Sequence, residues 1–263
     1  MGSQFQNNLV LVEKYDNKVA KVTLNNPPLN LVTLPLAREL RDTLKKLGED
    51  DSVRCVVLTG CTNRALSVGS DVKEFPTVWD DVVDKKLKNE NETFNMLEMM
   101  PKPVIAAIEG VVCGGGMEMS MACDIRIMSD ESKAAFPEIN LGVFPASGGS
   151  FRLPKLVGPA KAVELMYLGE FISAQECLRI GLVNQVVPAG TVLDTAMEMA
   201  AKIAAKPAQA VKIIKKSVRE MSLKTTEGCF WDNLHFSEEV FKTPDCAEGV
   251  SAFLEKRKPN FLG

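Results

Sequence analysis

One histidine, His235, serves the whole of a 263-residue chain, and that scarcity removes several kinds of chemistry. Zinc sites built on several histidines and Ser–His–Asp hydrolysis are poorly supported by a single imidazole, and no metal site is expected. His235 lies in a stretch of helical composition and reads as structural. There is no CxxC pair. The seven cysteines (55, 61, 113, 123, 177, 229 and 246) are odd in number and scattered, which reads as reduced intracellular thiols used as small core residues. No stretch approaches the roughly 20 apolar residues of a membrane span. A net charge of −3 without a basic stripe argues against nucleic acid as a partner. The first residues, MGSQFQNNLVLVEKYD, lack a charged region leading into an apolar one, so the expected location is cytoplasmic. Ser/Gly-rich linkers and low-complexity segments are also missing.

What is present is ordinary globular chemistry, 46% hydrophobic and 25% charged, in a chain long enough for one large domain or a domain with a helical appendage. Residues 8–14 and 18–24 read as two strands joined by a hairpin at Tyr15-Asp16-Asn17. Thr33 is the expected N-cap of a helix over 35–48, with Leu36, Leu40, Leu44 and Leu47 on one stripe. Residues 54–59 form a buried-type strand, and 66–75 (LSVGSDVKEF) a glycine-containing turn. The polar stretch from Pro76 to about Glu98 reads as a loop and an exposed helix whose charges, Lys86 and Glu90 among them, face solvent. Residues 124–128 and 182–187 read as further strands. Helices are expected over 161–168, 173–180, 190–205, 207–221, 224–241 and 245–256. Strands and helices thus alternate over 1–190 and helices fill 191–263, which predicts an α/β core with a helical C-terminal extension.

The chain is organised around residues 102–124, KPVIAAIEGVVCGGGMEMSMACD. An apolar β-branched run leads into Gly114, Gly115 and Gly116, and then into a segment of helical composition. Without a Cβ, those glycines let an acyl group approach the main chain. Free N–H groups and the helix dipole at such a start favour developing negative charge, and Glu118 lies just inside the first turn. A second carboxylate, Glu138, sits in a turn 20 residues on. Paired carboxylates in different environments act as acid and base. Glycine turns also serve simply to change direction, and a first-turn glutamate also serves as a dipole partner. Spacing alone does not separate these readings.

Five segments together resemble the enoyl-CoA hydratase/isomerase family: 66–75, 102–127 (KPVIAAIEGVVCGGGMEMSMACDIRI), 134–158 (AAFPEINLGVFPASGGSFRLPKLVG), 172–188 (ISAQECLRIGLVNQVVP) and 248–261 (EGVSAFLEKRKPNF). They occur in the family's order with family-like spacing. The resemblance implies the crotonase (ClpP-like) α/β fold, a repeated ββα spiral core followed by a C-terminal helical trimerisation region. It implies hydration of a trans-2-enoyl-CoA to a 3-hydroxyacyl-CoA. Ser70 and Gly115 match the two backbone N–H donors to the thioester oxygen, each typically worth about 3–4 kcal/mol. Glu118 and Glu138 match the acid/base pair. Val68, Ser70, Asp71, Lys73 and Gly115 match substrate- and coenzyme A-binding positions, and Phe253 and Lys256 match positions through which a neighbouring subunit contributes. The implied assembly is a homotrimer or homohexamer. The implied substrate is an acyl-CoA thioester, with no further cofactor because coenzyme A belongs to the substrate.

Departures from the family pattern bear on the substrate. Val68 stands where a small alanine is usual, and Ala146 where a glycine commonly follows the proline. Phe144 and Phe151 add bulk, and Phe136 falls where it either packs the core or narrows the water or acyl site. Alternatives left open are a Δ3,Δ2-enoyl-CoA isomerase, a hydratase for cyclic or branched enoyl-CoAs, and a non-catalytic crotonase-fold binding or scaffold protein.

Overall fold

The computed structural model describes residues 8–221 and 224–262; the first seven residues of the N-terminal segment read for a leader lie outside them. A six-stranded sheet runs in the order β1 (Val10–Lys14), β2 (Val19–Leu24), β3 (Cys55–Gly60), β5 (Val104–Ile108), β7 (Ile125–Ser129), β10 (Gln185–Val187). The hairpin β1–β2 is antiparallel and every other pairing in this sheet is parallel. A second, smaller sheet holds β4 (Ala65–Ser67), β6 (Val111–Cys113), β8 (Lys133–Ala135) and β9 (Ile172–Ser173). The chain steps between them in a repeating pattern. β3, β5 and β7 each pass directly to β4, β6 and β8, and helices carry the chain back. This is the ββα spiral that the resemblance implies.

Period-two alternation explains why the large sheet is covered on both sides. Val56, Leu58, Val104, Ala106 and Ile108 face one core. There they meet α1 (Leu34–Glu49), α2 (Lys88–Met99) and α3 (Gly115–Ala122). The expected stripe of Leu36, Leu40, Leu44 and Leu47 is buried on α1, and the Thr33 hydroxyl caps it by accepting from the Leu36 N–H. The intervening residues Cys55, Val57, Ile105, Ala107 and Ile127 face a second core, closed by Val192, Ala196, Ala200 and Ala204 of α7 (Val192–Ala204). So α7, although it follows residue 190, packs as part of the sheet's cover. Past it come α8 (Ala208–Met221), α9 (Thr226–Phe241) and α10 (Pro244–Leu254). Lys215 anchors α8 to the body through Asp124 at 2.8 Å and through the carbonyls of Leu97 and Lys102.

The structure corrects several expectations. A helix, α4 (Gly149–Val157), precedes the first of the helices expected from residue 161 onward, and it leads into α5 (Pro159–Leu168) and then α6 (Ala174–Arg179). The strand expected over 182–187 is confined to β10. The stretch 76–98 is not a solvated face throughout. It contains a π-helical turn at Val83–Leu87 running into α2, with Lys86, Glu90, Thr93, Phe94 and Leu97 buried. Phe136 points into the main core and is 1% exposed, so it is packing and not a wall of the site.

Candidate active site

Two turns, which follow the neighbouring parallel strands β4 and β6 of the small sheet, meet to form the floor of a cavity of about 530 Å³. The first follows β4. Its backbone is pinned at two points, by the Val32 N–H donating to the Gly69 carbonyl (2.8 Å) and the Asp71 N–H donating to the Val32 carbonyl (3.1 Å). Between those bonds, the Ser70 N–H donates to no acceptor among the described residues. The second turn follows β6, where the Gly114 N–H is held by the Ala135 carbonyl at 3.1 Å. Gly114 has φ 53° and ψ −134°, a conformation that a side chain forbids. Gly115 opens α3, and its N–H likewise finds no acceptor among the described residues. The two turns touch closely: a Cβ on Gly69, itself at φ 91°, would sit 2.8 Å from the Gly115 nitrogen.

Glu118 lies in the first turn of α3, a helix buried on every side, which accounts for its run of Met and Ala. The residue is 2% exposed, and Oε1 accepts the Gly149 N–H at 2.7 Å. Burial raises its pKa to about 8; the Gly149 hydrogen bond opposes that rise, and the neighbouring Glu138 and Glu90 reinforce it. Glu138 arrives from a separate element, a 3-10 turn at Pro137–Leu141 after β8. Both its oxygens are buried and without a partner among the described residues, approached only by its own backbone N–H. Burial raises this pKa as well. The Cys113 thiol, just before the glycine triplet, is pushed up to about 11 by burial and then by Glu138, which disfavours a thiolate nucleophile.

Val68, Ser70, Gly115, Glu118 and Glu138 therefore line one cavity, as do Ala146 and Phe144. Its remaining walls are largely apolar, with Val72, Phe75, Trp79, Leu87 and Leu141. The other expected residues are not brought there. Asp71 caps a short 3-10 helix by accepting from the Lys73 N–H at 3.0 Å, and Lys73 is exposed outside the cavity lining. Phe253 is 83% exposed on α10, and Lys256 follows that helix. Phe151 lies beside the Arg152 guanidinium, not against the cavity. His235 is exposed on α9 beside Glu239. Two larger hollows, of about 800 and 720 Å³, border the C-terminal helices and reach neither Glu118 nor Glu138. No cluster of three or more His, Cys, Asp or Glu side chains suited to a metal occurs among the described residues, and no helix there is long and apolar enough to cross a membrane.

A third carboxylate lines the cavity unannounced. Glu90 is 1% exposed on α2, with Oε1 accepting from the Ser70 hydroxyl (2.6 Å) and Oε2 from the Ser147 hydroxyl (2.7 Å). Lys86, wholly buried, lies 3.2 Å from Glu90 and 2.8 Å from Glu74. The i,i+4 spacing of Lys86 and Glu90 was the available signal, but a charge-rich surrounding masked it.

Known proteins resemble this chain along nearly its full length. The enoyl-CoA hydratase/isomerase family model matches residues 14–263. A probable enoyl-CoA hydratase of Bacillus subtilis is 38% identical over 250 residues, covering 94% of this chain and 96% of that protein. A short-chain-enoyl-CoA hydratase of Clostridium acetobutylicum is 37% identical over 254 residues, covering 95% and 96%. The crystal structure of an enoyl-CoA hydratase from Bacillus anthracis superposes with a TM-score of 0.94 at 36% identity, over 97% of this chain and 99% of that one. That likeness confirms the crotonase fold. With fold and sequence agreeing from end to end, the chain is a member of the enoyl-CoA hydratase/isomerase family.

Proposed function

We propose that the chain hydrates a trans-2-enoyl-CoA to the 3-hydroxyacyl-CoA, with coenzyme A arriving as part of the substrate and no further cofactor. The observation that carries this reading is that Glu118 and Glu138, from separate elements, share one cavity with two unpartnered N–H groups. The thioester oxygen accepts hydrogen bonds from Ser70 and Gly115, which stabilise it as it gains enolate character. Glu118 and Glu138 hold the water between them. The pair enters the step with one proton, carried by Glu138. Ionised Glu118 takes a proton from the water as the oxygen bonds to C3, and Glu138 delivers its proton to C2, so the elements of water add across the double bond. The proton gained by Glu118 returns to Glu138 before the next turnover. Two buried carboxylates in one cavity share protons as a pair, and their raised pKa values suit transfer near neutrality. The apolar upper walls suit a hydrocarbon acyl group without charge.

Binding of the coenzyme is the less local part of the proposal. Lys73 stands exposed beside the first turn, where it is available to a phosphate. Phe253 and Lys256 serve the site of a neighbouring subunit in a trimer or a hexamer of two trimers. In support, Trp231, Phe241, Phe253 and Leu254 on α9 and α10 are all more than half exposed, an apolar face of the kind that subunits cover. The assignment to the cytoplasm remains part of this proposal. The reaction is tested by loss of the conjugated enoyl-thioester ultraviolet absorbance when the protein meets crotonyl-CoA, with longer and cyclic enoyl-CoAs alongside. Fast loss with any of them supports hydration. Silence with all of them, with CoA esters still bound, would overturn it.

A further inference from the structure

We infer that Glu90 is a positioning residue that locks the Ser70 turn to the loop holding Glu118. The inference rests on the reading of the Ser70 N–H as a donor to the thioester oxygen. The two hydroxyls that Glu90 accepts from belong to different parts of the site. Ser70 carries one of the two free N–H groups in the floor. Ser147 lies two residues before Gly149, whose N–H donates to Glu118. Each oxygen of Glu90 is thus committed to one half of the machinery. The Ser70 turn and the loop that holds Glu118 thereby gain a direct bridge of two short hydrogen bonds.

Burial and charge point the same way. A carboxylate beneath a turn that receives developing negative charge opposes that charge, and its own desolvation is costly. Lys86 offsets both effects, since its ammonium lies against Glu90 and is itself wholly buried. It is held in turn by Glu74, whose oxygens accept from the Leu34 N–H at the start of α1. Apolar packing of the same volume would stabilise a core at least as well as this ion pair. What the ionic arrangement adds is geometry. The π-helical turn at Val83–Leu87 contributes by shifting the register of the chain entering α2, and such turns recur at functional sites. A displacement of about 1 Å in positioned catalytic groups costs on the order of a hundredfold in rate.

The test uses the full chain and butyryl-CoA labelled with ¹³C at the thioester carbonyl, a saturated ester that cannot be hydrated. Difference infrared spectroscopy reads how strongly the bound carbonyl is polarised, and turnover of crotonyl-CoA is measured in parallel. The carbonyl band of the wild-type complex should move to lower frequency than that of the free ester. Glu90→Gln and Ser70→Ala should each lose most of that displacement and lower kcat about tenfold, with KM changing less than about threefold. Ser70→Ala keeps the main-chain N–H and the Lys86–Glu90 pair, so it reads the clamp even if Glu90→Gln folds poorly. Ser147→Ala should lower kcat and leave the carbonyl band in place, and the double variant Ser70→Ala/Glu90→Gln should be little worse than Glu90→Gln alone. A wild-type displacement retained in full by folded Ser70→Ala and Glu90→Gln would overturn the inference and leave the Ser70 assignment standing. Absence of any displacement in the wild type would overturn that assignment, and the inference with it.

Discussion

The carboxylate of Glu118 accepts the Gly149 N–H at 2.7 Å, and Gly149 is the first residue of α4. One glutamate thus stands in the first turn of its own helix and caps the start of another. That double placement fixes the side chain without exposing it. Its cost is electrostatic, since the group is shut away from water beside two other carboxylates.

Stability should therefore carry a signature of Glu118 in its pH dependence. Its pKa is raised from 4.5 to about 8 on folding, so between those values the folded chain holds a proton that the unfolded chain releases. The contribution to stability is full below pH 4.5 and is lost as pH rises toward 8, by up to about 1.4 kcal/mol per unit. Glu118→Gln removes this slope. Denaturant melts across that range should show the variant gaining on the wild type as pH rises; parallel curves would contradict the assignment.

Gly114→Ala should cost about 1–3 kcal/mol in stability, because its φ of 53° and ψ of −134° lie outside the regions open to a side chain. The relief of strain would also move the Gly115 N–H. Turnover should fall more than about tenfold, a share of the loss that follows removal of such a donor. Denaturant melts and crotonyl-CoA turnover check the two parts separately.

Phe136 and Phe144 should separate cleanly. Phe136→Ala empties a core position and is expected to cost about 3–5 kcal/mol. Phe144 is 63% exposed at the cavity rim, so Phe144→Ala should cost less than about 1 kcal/mol while altering preference among enoyl-CoAs of different chain length. Melts and a substrate series would show it. Equal effects on acyl preference would count against the placement of Phe136.

What the sequence revealed follows from how far its signals extend. The leucine stripe of α1 is long enough to show its period, and the apolar runs of β3 and β5 are long enough to mark buried strands. The strands of the small sheet have two or three residues each, too short for any alternation to register. The start of α4 carries no capping side chain to mark it, because Gly148 and Gly149 stand there. In the site, Glu118 and Glu138 stood out because each follows a turn that a motif marks. Lys86 and Glu90 did not, because their burial depends on α1, Glu74 and two serines distant in sequence. Charge in a polar stretch looks the same whether its partner is water or another side chain.

Turnover of crotonyl-CoA by Glu118→Gln and Glu138→Gln, measured beside the wild type, tests the paired glutamates most directly. Each substitution should lower hydration at least about a hundredfold, the scale for losing a positioned acid or base, while CoA-ester binding stays nearly intact. Wild-type turnover by either variant would contradict the two-glutamate mechanism.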